Sequence, residues 1–532
     1  MTTAVDQIPG TIPALLARRA AATPNKPFIV DGEVTLSYQE TQKRAEALAV
    51  WLLSQGCRLQ DRVAIWAPNC HQWIVAALAA QTVGATVVTL NTRYKGGEAA
   101  DILRRSGSRF LFSVEQFLEV DYPALLSTHE LPDLVTTVTL TVHSQSDQFA
   151  QIVEQGRSIL STEEGHETLA HASDQVTPST ISDILFTSGT TGQAKGVVTD
   201  HGQNLRAFTA FVDILGLEPT DNYLIINPFF HSFGYKAGWL ATMIAGATAF
   251  PQAVFDVPTV IQQIERHGIN VMPGPPTLFQ SLLNHEDFDR EKLKTLSKAT
   301  TGAAVIPTQL IEDMWQKLGI ETVITAYGLS ETCGLVTMCR QGDDAETIAT
   351  TSGRSIPDIE VAIFDDQGNA LPAMEPGEIV VRGYNVMRSY FENPAATDET
   401  IDQNGWLHTG DIGFLNLEGN LHITDRLKDM YISGGFNCYP AEIEQQLCQH
   451  PAIAQAAVVG TSDPRMGEVG AAFIIPSTPQ RPQEQELISW CRGVMANYKV
   501  PKQFLWVETL PLNATGKVLK TELRKQLHHH MS

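Results

Sequence analysis

Between Asp183 and Asp200 the chain reads Asp-Ile-Leu-Phe-Thr-Ser-Gly-Thr-Thr-Gly-Gln-Ala-Lys-Gly-Val-Val-Thr-Asp, and these residue types point to phosphate chemistry. An apolar β-prone run, Ile184 to Phe186, stops abruptly at hydroxyl- and glycine-rich residues, which hand over to a second apolar run. Consecutive Ser, Thr and Gly residues free backbone N–H groups to converge on one concavity, a nest suited to phosphate oxygens. Gly189 and Gly192 lack the Cβ atoms that would hold a phosphate away, while Thr187, Ser188, Thr190 and Thr191 add hydroxyl donors. Lys195 adds a point charge. The spacing is not that of a Walker loop, because Ala194 stands where the glycine before the lysine would be and Gly196 where Ser or Thr belongs. A plain hairpin turn accounts for one glycine and one threonine. It does not account for four hydroxyls, three glycines and a lysine in the ten residues from Thr187 to Gly196.

Five further segments follow in order: Ala326-Tyr327-Gly328-Leu329-Ser330-Glu331-Thr332, Gly405 to Asp411, Asp425-Arg426-Leu427-Lys428-Asp429, Ser433 to Glu442, and Pro511 to Lys517. Each alone has a bland explanation, whether a turn, a solvated carboxylate or a surface charge run. Together with the loop they resemble the six core motifs of the adenylate-forming superfamily: acyl-CoA synthetases, luciferases and the adenylation domains of peptide synthetases. The resemblance spans roughly residues 10 to 525.

That resemblance implies roles residue by residue. Thr187, Ser188, Gly189, Thr190, Thr191 and Gly192 would cradle ATP phosphates, with Lys195 beside them. The Tyr327 ring would stack on adenine, flanked by Ala326, Gly328 and Ser330, the last standing where many members carry Thr. Glu331 would hold the Mg2+ that bridges the phosphates, a hard ion that takes few carboxylates and leaves other positions to phosphate and water. Asp411 would accept hydrogen bonds from the ribose hydroxyls, with Ile423 and Arg426 nearby. Gly302, Ala303 and Ala304 would line the AMP and acyl sides together. Lys428 falls at the hinge, Gly434, Gly435 and Phe436 at the pantetheine tunnel for CoA, and Lys517 at the mobile catalytic lysine. Catalysis would fall to Lys517, Glu331 and Lys195.

The elements that must position these residues alternate in type. Thr11 to Ala22 reads as an amphipathic helix with Thr11 as its cap; Arg62 to Trp66 is a buried strand, His71 to Gly84 a helix and Thr86 to Leu90 a strand. From Tyr223 to Tyr327 strands and helices alternate again, the signature of stacked βαβ units. Between Gly353 and Ile423 short strands surround turns, which predicts a small β-rich, barrel-like subdomain. After Asp429 a compact α+β unit begins afresh, with a helix from Pro440 to Gln449 and strands at Ala454–Val459 and Ala471–Ile475. Ser144 to Pro178 and Pro476 to Gln485 read as loop-rich. The alternation makes the fold class α/β, and the resemblance implies its architecture: a large N-terminal AMP-binding domain (1–427, its β-rich part about 353–423) and a small mobile α+β domain (428–532).

Composition is compatible with this and excludes other classes. At 532 residues the chain exceeds the size at which one core stops growing, so subdomains are expected. The net charge of −22 argues against nucleic acid as a partner, so attraction to the polyanions ATP and CoA must be local. No apolar run reaches the ~18–20 residues of a membrane span. Met1 to Pro9 shows no signal-peptide pattern, and Met531-Ser532 is no peroxisomal address. Seven scattered cysteines with no Cys-x-x-Cys pair suggest reduced thiols and a cytoplasmic setting. Cys333 and Cys339 read as small core or pocket-lining residues. A homodimer is expected from the resemblance alone.

The acid is the least legible part. The family's acyl pocket follows Asn227-Pro228-Phe229-Phe230-His231-Ser232-Phe233-Gly234, where members choosing amino acids carry an Asp for the ammonium; here no acid appears until Asp256. An uncharged, hydrophobic carboxylic acid is favoured. His231, Phe233, Tyr235 and Lys236 are the pocket candidates, Tyr235 and Lys236 to meet a ring ketone, with a packed histidine, a packed tyrosine and a snorkelling lysine as the other reading. The runs Tyr223 to His231, Phe233 to Gly238, Pro273 to Thr277 and Thr337 to Arg340 resemble the steroid-catabolism CoA ligases, which act on the bicyclic hydrindane-dione propionate. Medium- or long-chain fatty, alicyclic and aromatic acids stay open. So do a luciferase-like oxygenase and a carrier-loading ligase.

Overall fold

The computed structural model describes residues 8–140, 148–187, 194–302, 306–426, 429–433, 436–463, 465–495, 497–512 and 518–531. A seven-stranded sheet carries the loop-bearing hairpin. Its order is Ser389–Tyr390, Lys195–Asp200, Ile181–Thr187, Thr86–Thr89, Arg62–Trp66, Ser108–Val114 and Thr136–Leu140. The last five run parallel, and apart from the half-buried Ile181 and Phe186 their Val, Ile, Leu and Phe residues are buried on both faces, as helix-covered parallel sheets require. The loop-bearing pair is antiparallel, with Lys195 opposite Thr187 and Thr199 opposite Asp183.

A second layer begins with Asn222–Ile225, Thr248–Pro251, Pro27–Asp31 and Val34–Ser37. Single bridges through Val271 join it to Lys298–Thr301 and Thr322–Tyr327, which run parallel. The helices between these strands begin at side-chain caps: Thr11, Asp200 and Asp256 each accept a hydrogen bond from an N-terminal backbone N–H. The β-rich region is a four-stranded antiparallel sheet of Ile359–Phe364, Gly377–Gly383, Leu407–Leu415 and Leu421–Arg426.

Beyond it, Gly467–Pro476 is the central strand of a C-terminal sheet with its own cores, and Ile453–Asp463 lies at its edge. Val458, Ala472 and Ile474 face one cluster with Ile443 and Leu487, while Ala457, Val459, Ala471 and Phe473 face another with Leu523 and Leu527. That period of two buries both faces of the sheet.

One expectation fails. The stretch read as loop-rich between Ser144 and Pro178 holds two helices, Gln148–Leu160 and Glu163–Asp174. Its polar composition hid a helical stripe: Phe149, Ile152, Val153 and Gly156 recur at three- and four-residue intervals and are buried. Gly156 lets this helix lie against Tyr38–Ser54, since a Cβ there would meet the Ala47 carbonyl oxygen at 1.9 Å. Gly156→Ala gains about 1 kcal/mol of helix propensity. The overpacking against rigid backbone costs about 1–3 kcal/mol and wins. A lowered urea midpoint is therefore expected for this variant; an unchanged or raised midpoint contradicts the close approach.

Candidate active site

The carboxyl ends of two adjacent parallel strands bring two motifs together. Thr301 pairs with Thr325, so Gly302 leaves the sheet beside Ala326 and Tyr327, the last residues of their strand, which pair with Met338 and Thr337. In open α/β sheets this edge is where ligands bind. Gly302 has φ of 159° and its missing Cβ would point toward the Ala326 carbonyl oxygen at 3.6 Å. Gly328 has no room for a side chain, because a Cβ would lie 2.3 Å from the Gly334 oxygen. That approach folds the Leu329–Leu335 segment back on itself and aims Glu331 from a single turn of 3-10 helix, Ser330–Thr332.

Tyr327 and Asp411 meet here. The Tyr327 hydroxyl donates to Asp411 Oδ2 at 2.6 Å, and both side chains are nearly buried. Asp411 lies on Leu407–Leu415, where Thr409 Oγ1 accepts from its N–H, and Arg426 stands opposite it in the ladder. Beside it Glu378 fastens that strand, accepting from the Gly410 N–H at 3.1 Å and pairing with His408 Nδ1 at 2.7 Å. Ile423, on the neighbouring strand, is exposed.

Four residues past Tyr327, Glu331 joins a second group. Tyr390 donates to Glu331 Oε1 at 2.8 Å, and Lys195 Nζ sits 4.8 Å from the centre of the Tyr390 ring. Burial, with Glu331 alongside, raises the Tyr390 phenol well above its ordinary range, so it stays a proton donor. The strand Ser389–Tyr390 is held in place by pairing with Val197 and Val198 and by the Arg388–Asp200 ion pair at 2.5 Å. Thr187 is placed at the loop mouth, its hydroxyl donating to the Lys195 carbonyl at 3.3 Å. Lys195, Tyr390 and Glu331 thus form one cation–phenol–carboxylate row beside the loop.

A magnesium ion fits this donor set. Glu331 is half-buried, and among the described residues its Oε2 takes no hydrogen bond and no cluster of three potential ligands surrounds it. A single half-buried carboxylate, with Tyr390 and Lys195 alongside, suits an ion that takes most of its ligands from phosphate and water.

Other assigned residues lie outside the described residues: Ser188, Gly189, Thr190, Thr191, Gly192, Ala303, Ala304, Lys428, Gly434, Gly435 and Lys517. The backbones of Arg426 and Phe436 lie in strands. His231 and Phe233 are half-buried at the start of the segment Ser232–Gly234, with His231 Nδ1 accepting from the Phe233 N–H at 3.2 Å.

Tyr235 and Lys236 require correction. Both are sealed in the core, 0% and 1% exposed, with their polar ends taken up by buried partners. Lys236 Nζ pairs with Asp183 Oδ1 at 3.1 Å, and the Tyr235 hydroxyl accepts from Gln81 Nε2 at 2.7 Å. A buried ammonium needs a carboxylate, and Asp183 supplies it from the middle of an apolar strand. Cys333 and Cys339 are fully buried, and burial pushes the Cys333 thiol up to about 12, so they are packing residues rather than nucleophiles.

Two residues escaped sequence reasoning. Tyr390 follows Arg388-Ser389 in a turn-rich stretch with no periodicity to single it out. Asp183 carried a signal: a lone acid in one apolar run and a lone lysine in another invite a buried pair.

Two family models match this architecture, the AMP-binding enzyme at residues 16–391 and the AMP-binding enzyme C-terminal domain at residues 442–517. The chain belongs to the AMP-binding enzyme family. Within it, the chain is 43% identical over 520 residues to a methyl-dioxo-octahydroindenyl-propanoyl:CoA ligase of Rhodococcus jostii, covering 97% of this chain and 99% of the relative. It is 45% identical to the enzyme of the same name from Mycobacterium tuberculosis, over 97% and 98% of the two chains. Among solved structures it is similar to an anthranilate CoA ligase in complex with anthranoyl-AMP, with a TM-score of 0.87, 25% identity and 98% coverage of both chains. It is also similar to the Bacillus subtilis o-succinylbenzoate CoA synthetase with its acyl-adenylate, with a TM-score of 0.78, 29% identity and coverage of 96% and 97%.

Proposed function

We propose that this protein is an ATP-dependent, AMP-forming CoA ligase for a hydrophobic carboxylic acid, and that the acid is the bicyclic hydrindane-dione propionate. The observation that carries the activity is the pair of groups strung along Tyr327–Glu331. Tyr327–Asp411 offers an aromatic face and a carboxylate acceptor for a nucleoside, and Lys195–Tyr390–Glu331 lies at the phosphate loop four residues on. The acid is supported by near-full-length identity to two ligases named for that propionate.

In the first half-reaction a carboxylate oxygen attacks the α-phosphorus of ATP, and the bond to pyrophosphate breaks. Lys195 and the loop N–H groups stabilise the charge that develops on phosphorus and leaving group, and Lys517 reaches the same phosphate. Glu331 would hold a bound Mg2+, whose charge would offset that of the phosphates. In the second half the CoA sulfur attacks the acyl carbon, AMP leaves and the thiol proton passes to solvent. Lys517 departs and the Gly434–Phe436 segment arrives by rotation about Lys428. A homodimer and a cytoplasmic setting belong to the same proposal. No described helix is long and apolar enough to cross a membrane.

The first test supplies ATP, Mg2+, CoA and the propionate and follows acyl-CoA and AMP by mass spectrometry. Stoichiometric thioester and AMP support the reading; pyrophosphate and adenylate without thioester favour carrier loading. Tyr390→Phe keeps the ring over which Lys195 sits and removes the bond to Glu331. A hydrogen bond to a carboxylate is worth about 1.5–3 kcal/mol, so adenylation is expected to fall about tenfold or more. The Mg2+ concentration for half-maximal rate is expected to rise as well. An unchanged Mg2+ requirement would remove Tyr390 from the positioning of Glu331.

A further inference from the structure

The ion pair that removed Lys236 from the acyl pocket lies at a junction of five elements. Asp183 stands on the strand Ile181–Thr187 that enters the phosphate loop, and Thr199 on the strand Lys195–Asp200 that leaves it. Lys236 lies in the helical segment Tyr235–Leu240, kinked at Gly238, directly after the acyl segment His231–Gly234. Asn204 comes from the helix His201–Leu215 and Gln81 from His71–Thr82.

The contacts are dense and nearly dry. Lys236 Nζ donates to Thr199 Oγ1 at 3.0 Å and pairs with Asp183 Oδ1 at 3.1 Å. Thr199 donates to Asp183 Oδ1 at 2.7 Å; Ser182 and Asn204 donate to Oδ2 at 2.7 and 2.8 Å; and the Tyr235 hydroxyl lies 3.4 Å from Oδ2. Asp183, Ser182 and Asn204 are 0% exposed.

The register gives this network its direction. Asp183 precedes Thr187 by four residues and Thr199 follows Lys195 by four, and both pairs face each other across the hairpin. Even spacing puts all four side chains on one face of the ladder. Lys236 therefore grips the face of the hairpin that carries Thr187 and Lys195, about 13 Å below them along the strands. Neutralised by Asp183, its charge does not compete for phosphate. A buried ion pair is weak as a source of stability, because desolvation offsets most of the Coulomb gain. What it supplies is a fixed geometry.

We infer that the Lys236–Asp183 pair is a positioning device that holds the acyl-binding segment in register with the phosphate loop. Lys236 is a positioning residue for the first half-reaction, which needs a carboxylate oxygen aimed at the α-phosphorus. It rests on the ligase reading above. Displacements near 1 Å cost on the order of a hundredfold in such an attack. Once acyl-AMP has formed, the covalent bond fixes acyl group and phosphate relative to each other, so the tether matters far less to the second half.

The test uses the full chain and two variants. The double variant Asp183→Leu/Lys236→Met replaces the pair by apolar groups and leaves no uncompensated charge; Thr199→Val removes only the bridging hydroxyl. Each is assayed for urea midpoint, adenylation at saturating ATP and acid, KM for ATP, and thioester formation from supplied acyl-AMP with CoA. The acid is the hydrindane-dione propionate or, failing turnover of that, whichever panel acid the wild type accepts. The expected result is a folded double variant with adenylation down about ten- to a hundredfold. KM for ATP stays near wild type, and thioester formation from acyl-AMP stays within about threefold. Thr199→Val should show a smaller loss of the same selectivity. Wild-type adenylation in the folded double variant, or equal losses in both half-reactions, overturns the inference. Should the double variant fail to fold, Thr199→Val decides on the same criteria. A wild type that makes no acyl-CoA from any acid fails the ligase reading instead, before any variant is made.

Discussion

Lys517→Ala is expected to abolish acyl-adenylate formation while leaving thioester formation from supplied acyl-AMP within a few-fold of wild type. The argument rests on when charge develops. In the first half-reaction negative charge builds on the pentacoordinate phosphorus and on departing pyrophosphate, and a preorganised cation there is worth about a hundred- to a thousandfold in rate. In the second half the leaving group is AMP, and the chemistry moves to the acyl carbon and a thiol that must enter from the pantetheine side. A lysine committed to phosphate has no task there. Single-turnover assays of each half, with pyrophosphate release for one and CoA thioester for the other, separate the two. Equal losses in both would assign Lys517 to folding or to domain docking instead.

Glu331→Gln is the second large effect expected. Glutamine keeps an acceptor for the Tyr390 hydroxyl, which now reaches Glu331 Oε1 at 2.8 Å, so the local fold should survive. It removes the negative charge that Glu331 offers a cation, and among the described residues no group of three potential ligands stands in for it. Adenylation should fall about a hundredfold or more, with a raised Mg2+ requirement that excess Mg2+ restores only in part. Thioester formation from acyl-AMP should change little. The contrast with Tyr390→Phe is informative: that variant keeps the charge and loses its orientation, so its deficit should be smaller and more fully rescued by Mg2+. A Glu331→Gln enzyme with normal Mg2+ dependence would place the metal elsewhere.

The parts of this molecule that were legible in the sequence share a cause: the local residue pattern and the tertiary structure ask for the same thing. The helix Ile12–Ala22 begins after Thr11, and Val257–His267 follows Asp256, because the capping side chain and the apolar stripe agree. The strand Arg62–Trp66 is uniformly apolar after its first residue because helices cover both its faces. The helices within 148–174 were illegible for the opposite reason. Their surfaces are rich in Gln, Glu, Ser and His, and only a narrow stripe meets the helix Tyr38–Ser54.

At the site the division is similar. Tyr327, Glu331, Asp411 and Lys195 stand in short contiguous motifs, three on strands and Glu331 on a single 3-10 turn, so their neighbourhood could be anticipated. Tyr390 could not, because it reaches Glu331 from 59 residues away through a strand only two residues long. Lys236 was misplaced because a lysine next to a binding segment looks like a binding residue. Only the paired charge in a different apolar run, Asp183, shows where its head group belongs.

The most direct test of the central claim is a competition assay. Wild-type protein is given ATP, Mg2+, CoA and an equimolar mixture of the hydrindane-dione propionate, cyclohexanecarboxylate, benzoate and straight-chain acids from six to sixteen carbons. Acyl-CoA products are then quantified by mass spectrometry. The account predicts that the bicyclic thioester dominates, with one AMP formed per thioester. A dominant straight-chain or aromatic thioester would keep the ligase and contradict its proposed acid. Adenylates without any thioester would contradict the ligase itself.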